Sequence, residues 1–207
     1  MTAHSHGVVK LIRHAERPPL PAGSHGDTLA LTSEGVRAAR EFGGTLGGRL
    51  GRVVSSPVLR CVQTAEAILN GAGASRPCLT DRRLGNPGAW VADGVLVGPS
   101  FLMHGAEAVV RQQLRGPVDG MRSLEEGVRM LLQCLFAIPT LDGSVDVFVS
   151  HDAVIAPLVG VLIGTQEVED VWPHFLESAS FSSLDGRVQL TWRDTTYSLP
   201  AEVTHGS

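Results

Sequence analysis

Three short apolar runs punctuate this chain, and each ends in a cluster of polar residues. Gly7-Val8-Val9-Lys10-Leu11-Ile12 suits a buried strand that delivers Arg13 and His14 at its end. Arg52-Val53-Val54-Ser55 predicts a second strand, and Val145-Asp146-Val147-Phe148-Val149 a third that ends at Ser150-His151-Asp152. Between these runs the apolar spacing lengthens to that of a helix. Thr32 reads as an N-cap ahead of Val36, Ala39, Phe42 and Leu46. Pro57 stands at a first helical position, with a helix running on to about Asn70. Ser123-Leu124-Glu125-Glu126 has capping-box spacing, and Leu124, Val128, Leu131, Leu132 and Leu135 give the following helix an apolar face. A further helix is predicted over 153–163, and Leu184-Asp185-Gly186-Arg187 reads as a hairpin turn between two late strands.

Strands alternating with helices predict an α/β protein: a three-layer sandwich whose mostly parallel central sheet is flanked by helices. Two stretches lack periodicity. Residues 17–31 hold three prolines and two glycines and read as a loop. Residues 85–120 carry Gly, Pro, Trp90 and Phe101 without a clear repeat, so they are expected to form an irregular specificity insertion, or lid, within one domain covering 1–207.

Composition narrows the classes. The 207 residues are 43% hydrophobic and 18% charged, with a net charge of −4, which disfavours a protein that coats nucleic acid. The run from Val8 to Ile12 is too short for a secretory signal or a membrane span, so no membrane partner is expected. Cys61, Cys78 and Cys134 lack metal-ligand or redox spacing and read as idle thiols in a reducing cytoplasm. The His4/His6 pair has metal-binding potential, but a flexible terminus is the simpler reading. No metal or other cofactor is expected, and the oligomeric state is unreadable, a homodimer staying open.

The chemistry sits where the strands end. If the three strands are parallel neighbours, their carboxyl ends converge on one crevice. That crevice collects Arg13, Arg17 and Arg60 with His14 and His151. Arginine forks and a helix N-terminus suit a phosphate dianion, and a central histidine can act as a nucleophile.

These segments resemble the histidine phosphatase superfamily, which includes phosphoglycerate mutases, acid phosphatases and phytases. Arg13-His14-Ala15-Glu16 matches its Arg-His-Gly motif with alanine in the glycine position. Leu31-Thr32 with Gly35, then Ser55-Ser56-Pro57 with Arg60, Thr64 and Ala65, and finally Ser150-His151 match the later landmarks in order. The resemblance implies a phosphoglycerate mutase-like fold, a phosphohistidine on His14, and a phosphoryl group held by Arg13, Arg60 and His151. No metal is required on this reading, because the arginines supply the cationic charge.

Two departures concern the proton donor. The mutase-like branch carries Leu-x-Glu ahead of Gly-x-Trp; here Leu84 to Trp90 puts Asn86 at the glutamate's place. The acid-phosphatase branch uses an aspartate after the second histidine, as Asp152 stands here, and its Arg-His-Gly-x-Arg-x-Pro is reproduced by Arg13 to Pro19 apart from Ala15. By that likeness Asp152 is the general acid and Arg17 a third phosphate ligand, with Glu107 in reserve.

Duller readings stand beside these. A lone histidine after a strand is usually structural, Asp152 could cap its helix, and Arg17 could be a solvated loop residue. Trp90 and Phe101 suit either the core or a flat substrate, and His25 and Asp27 lie in the loop after the nucleophile. The expected partner is a small phosphomonoester with an apolar, aromatic, nucleotide-like or flavin-like body, from the Trp90, Phe101, Leu102 and Met103 of the insertion. A phosphomutase, a phosphohistidine protein phosphatase and a phosphate-binding pseudo-enzyme are the rivals.

Overall fold

The computed structural model describes residues 7–21, 23–85, 87–184 and 187–199. Its strands are β1 (Val8–Arg13), β2 (Leu50–Ser55), β3 (Leu79–Thr80), β4 (Val145–Ser150), β5 (Ser178–Leu184), β6 (Arg187–Trp192) and β7 (Thr195–Ser198). Its helices are α1 (Ser33–Leu46), α2 (Leu59–Gly71), α3 (Gly94–Arg115), α4 (Leu124–Leu135), α5 (Asp152–Ile163) and the short α6 (Val168–Val171). The strands form one sheet in the order β3-β2-β4-β1-β5-β6-β7. β4 lies parallel between β1 and β2, while β5, β6 and β7 form an antiparallel meander beyond β1.

The period-2 pattern of β1 explains the layers. Val9 and Leu11 point into a core shared with α4, α5 and the second half of α3, and Ile12 points into the other core under α1 and α2. β4 is buried at all six positions, as a central strand covered on both faces must be. Its Asp146 is tolerated because Arg52, the Arg52 backbone N–H and Thr140 all donate to the carboxylate, the first through an ion pair at 2.5 Å. That pair lies at the end of the sheet away from Ser150.

The local signals act as read. Thr32 Oγ1 accepts from Gly35 N at the start of α1, and Ser123 Oγ accepts from Glu126 N at the start of α4. Two expectations need correction. Pro57 does not open α2; Ser56 Oγ accepts from Val58 N and holds residues 57–58 in a turn, so the helix begins at Leu59. Residues 85–120 are not irregular, for α3 takes up most of them.

Asp93 caps α3 by accepting from Val95 N and Leu96 N, and the helix bends at Gly105, whose φ of 80° and ψ of 163° belong to glycine. The first half of α3 hid from a periodicity search because its large apolar residues are not on a buried stripe: Val95 is 85% exposed and Met103 76%. The lobe is tied shut where Arg122 N donates to the Trp90 carbonyl and Gly120 O accepts from Ala92 and Asp93. β5 and β6 confirm strands on either side of the predicted hairpin, while Asp185 and Gly186 of its turn lie outside the described residues, as do His4, His6 and Asn86. No helix among the described residues is long and apolar enough to cross a membrane.

Candidate active site

β1, β2 and β4 end together, and the loops that leave them open into a cavity of about 620 Å³. Arg13, His14, Arg17, Arg60, His151 and Asp152 all reach it. β1 supplies Arg13 and then His14, α2 carries Arg60 on its first turn, and His151 is the N-cap residue of α5. The motif neighbours have local jobs. Thr64 Oγ1 accepts from Ala15 N, fixing the backbone after His14, and Thr32 Oγ1 donates to Glu16.

His14 is 1% exposed, and its tautomer follows from its partners. The Ala15 carbonyl can only accept, so Nδ1 carries the proton and donates to it at 2.8 Å. Nε2 is then the lone-pair nitrogen, and it accepts from Arg60 Nε at 3.1 Å. Burial lowers the pKa of the ring to about 3, against the Ala15 bond that raises it and with Arg60, Arg13 and Arg17 lowering it further. The neutral ring therefore aims a lone pair into a set of cations.

Arg60 organises both histidines. Its Nη2 donates to His151 Nδ1 at 3.1 Å, and its Nη1 donates to the Gly26 carbonyl at 2.7 Å. His151 then carries its proton on Nε2 and donates to Ser56 Oγ at 3.0 Å; burial, with Arg60 next, holds its pKa well below the usual value. Gly85 lies against this ring, where a Cβ would sit 2.6 Å from Nε2. The Cys61 thiol packs 3.4 Å from the same nitrogen, and burial pushes its pKa up to about 12, so it stays protonated.

Arg13 is held on three sides. Nη1 donates to the Pro173 carbonyl at 2.7 Å, Nη2 pairs with Asp152 Oδ2 at 2.6 Å, and the guanidinium lies 4.3 Å over the Phe175 ring. The Nε atoms of Arg13 and Arg17 are buried without a hydrogen-bond partner. Burial lowers the pKa of both arginines, and Arg60 lowers both further. Three clustered cations with two orphaned donors and one carboxylate make a seat for an anion. Among the described residues no group of three or more His, Cys, Asp or Glu side chains is arranged to hold a metal ion.

The remaining predicted residues divide. Trp90, Phe101, Glu107, His25 and Asp27 also line the cavity. Trp90 serves the core as well, being 2% exposed with Nε1 donating to the Val154 carbonyl. Glu107 pairs with Arg111 at 2.7 Å and is half exposed. Leu102 and Met103 are exposed and line no part of the cavity, a correction that follows from the helical turn that α3 imposes on them. Sequence reasoning missed Phe175 and the Pro173 carbonyl. They follow α6 more than 150 residues after β1, and no local spacing links them to Arg13.

An α/β sandwich whose parallel strands deliver a buried histidine into an arginine-lined crevice has the chemistry to bind a phosphate group. A sequence model of the histidine phosphatase superfamily (branch 1) matches residues 9–95, which include His14 and Arg60 but not His151. Among solved structures the fold is similar to a mutant phosphoserine phosphatase from Entamoeba histolytica in complex with phosphoserine (TM-score 0.62, 17% identity, 95% of this chain and 98% of that one). It is similar to a mycobacterial glucosyl-3-phosphoglycerate phosphatase (0.59, 20%, 91% and 99%) and to phosphoglycerate mutase from Bacillus anthracis (0.60, 16%, 92% and 94%). No curated protein matches the sequence. The sequence likeness to the histidine phosphatase superfamily thus covers residues 9–95, and the solved structures share the fold of the whole sheet and its helices.

Proposed function

We propose that this protein is a phosphomonoesterase working through a phosphohistidine on His14. The observation that carries the reading is the tautomer: Nδ1 is tied to the Ala15 carbonyl, and the Nε2 lone pair faces the arginines. Nε2 attacks phosphorus in line as the ester P–O bond breaks; Arg13, Arg17 and Arg60 hold the equatorial oxygens as charge spreads over them, and His151 joins them by turning its Nε2–H from Ser56 Oγ to the phosphoryl group. The leaving alkoxide takes a proton from Asp152. Water then attacks the phosphohistidine, Asp152 takes the proton from that water, and inorganic phosphate leaves with His14 restored.

Asp152 is ion-paired with Arg13 before substrate arrives. A dianion that draws Arg13 onto its own oxygens releases the carboxylate from this ion pair and leaves it beside the ester. Glu107, paired with Arg111 on the outer wall, is the reserve donor. The arginines supply the charge a divalent ion would otherwise bring, so no metal enters the reading. It takes the chain as one domain acting on a small phosphate ester in the cytoplasm, an inference that the free cysteines support.

The test is phosphate release from a panel of phosphomonoesters in the presence of a chelator, with wild type and His14→Ala. Wild type should turn over, with acid-labile label on the protein after a quench, and the variant should lose at least about 10³-fold. Turnover that survives in His14→Ala would refute the nucleophile. Asp152→Asn should slow alkyl phosphates far more than p-nitrophenyl phosphate, whose leaving group hardly needs a proton. Small, equal losses on both would remove Asp152 from the acid role.

A further inference from the structure

The arginines occupy only the inner end of the cavity; the rest is open to the body of the ester. Its walls there are largely apolar, with Trp90, Val97 and Phe101 among them, and no lysine or arginine other than Arg13, Arg17 and Arg60 lines it among the described residues. Outside the phosphate seat the lining carries the carboxylates Asp27 and Glu107 and the polar side chains of Ser24, His25 and His104. A second anion on the substrate would therefore lose its water in a largely apolar channel that offers it no lysine or arginine and sets two carboxylates nearby. A neutral body loses nothing of the kind.

The shape of the channel depends on one helix. The first half of α3 turns Gly94, Val97, Gly98 and Phe101 toward the cavity, at helical spacing. Gly98 is the informative position, because a Cβ built there meets no atom within 4 Å outside its own stretch of helix and its φ is not left-handed. Pro99 follows it inside the helix, and a residue without a Cβ eases helical backbone ahead of a proline, but no packing contact beyond the chain neighbours calls for glycine at 98. What the missing side chain provides is room beside Phe101.

We propose that the ester accepted here carries one phosphate and no second anion on a bulky, uncharged body, and that Gly98 makes the room for that body. The proposal rests on the phosphatase reading for turnover, and binding tests it independently. sn-Glycerol 3-phosphate and 3-phosphoglycerate share a three-carbon skeleton and differ in an alcohol against a carboxylate. On the full chain, kcat/KM should favour the glycerol ester by about tenfold or more, and 2-naphthyl phosphate should surpass both. Dissociation constants measured on His14→Ala should fall in the same order.

Gly98→Leu should cut kcat/KM for 2-naphthyl phosphate by about tenfold more than for sn-glycerol 3-phosphate, with circular dichroism reporting an intact fold. Gly98→Arg should narrow the gap between 3-phosphoglycerate and the glycerol ester. Equal or better use of 3-phosphoglycerate by wild type would overturn the charge argument. Equal losses on both esters in Gly98→Leu would overturn the role of Gly98. If no ester turns over, the phosphatase reading fails alone when the binding order on His14→Ala holds; if that order is absent too, the specificity proposal fails with it.

Discussion

The two ends of the cavity are built by opposite means. At the inner end, adjacent parallel strands stop together and present His14, Arg60 and His151 in a hydrogen-bonded chain, His14 and His151 having ring centroids 5.5 Å apart. At the outer end, a bent helix with exposed apolar residues and glycines on its inner face leans over the opening. The first arrangement tolerates almost no displacement, since each side chain is buried and bonded to the next. The second can change its lining without touching the first. On the proposed function, such a scaffold would separate the chemistry, held by the sheet, from selectivity, set by one lobe.

Arg60→Lys attacks the inner end with the largest expected effect. Lysine keeps the charge but cannot bond His14, His151 and the Gly26 carbonyl at once, so kcat/KM should drop roughly 10²–10³-fold for every ester. The ranking of substrates should not move. A changed ranking, seen in a side-by-side panel, would mean that the two ends are not separable.

The pH dependence of stability sharpens the same contrast. His14 is neutral in the fold, with its pKa lowered to about 3 from 6.5. Between those values the unfolded chain binds a proton that the native ring refuses, so stability rises with pH across that window and this contribution is flat above it. His151, lowered in the same direction, adds to the slope. Denaturant midpoints measured from pH 4 to pH 7 should climb in wild type and climb less in His14→Gln. Identical slopes would show that the ring is not held neutral by its burial.

Legibility in the sequence follows the same division. The inner end was readable because short apolar runs, N-cap residues and the polar groups directly after each strand are local signals, and parallel neighbours bring them together without further information. Thr32, Ser123 and the strand-end pairs Arg13-His14 and Ser150-His151 all act where the spacing put them. The outer end was not readable. α3 bends at Gly105, and Val95, Leu96, Leu102 and Met103 of its first half are exposed, so the period that marks a buried helix does not form there. Phe175 and the Pro173 carbonyl escaped for another reason: they reach Arg13 only because β5 returns antiparallel beside β1.

Gly127→Ala probes the wall from behind. A Cβ at 127 would fall 2.0 Å from the Trp90 ring, so the indole must shift, at about 1–3 kcal/mol of stability. Because Trp90 borders the outer cavity, thermal unfolding should come earlier and the preference among large esters should change. Phosphate binding, measured by calorimetry, should stay within about twofold of wild type, the size of effect expected where no charged contact is altered. A large loss of phosphate affinity would tie the wall to the seat.

Asp93→Ala has the smallest expected effect and the most specific one. Its carboxylate satisfies Val95 N and Leu96 N at the start of α3, and losing such a cap costs about 1 kcal/mol. The helix beyond Gly105 is anchored in the core by Val109, Val110 and Leu114, so the cost falls on the first half. Amide exchange should accelerate over 94–104 while the strands keep their protection. Since that half forms the outer wall, KM for 2-naphthyl phosphate should rise by a few fold, on the order of the cap energy, with sn-glycerol 3-phosphate unaffected. Faster exchange spread over α3 and the sheet together would mean that the lobe unfolds with the body of the protein, and the independence inferred for the two ends would be lost.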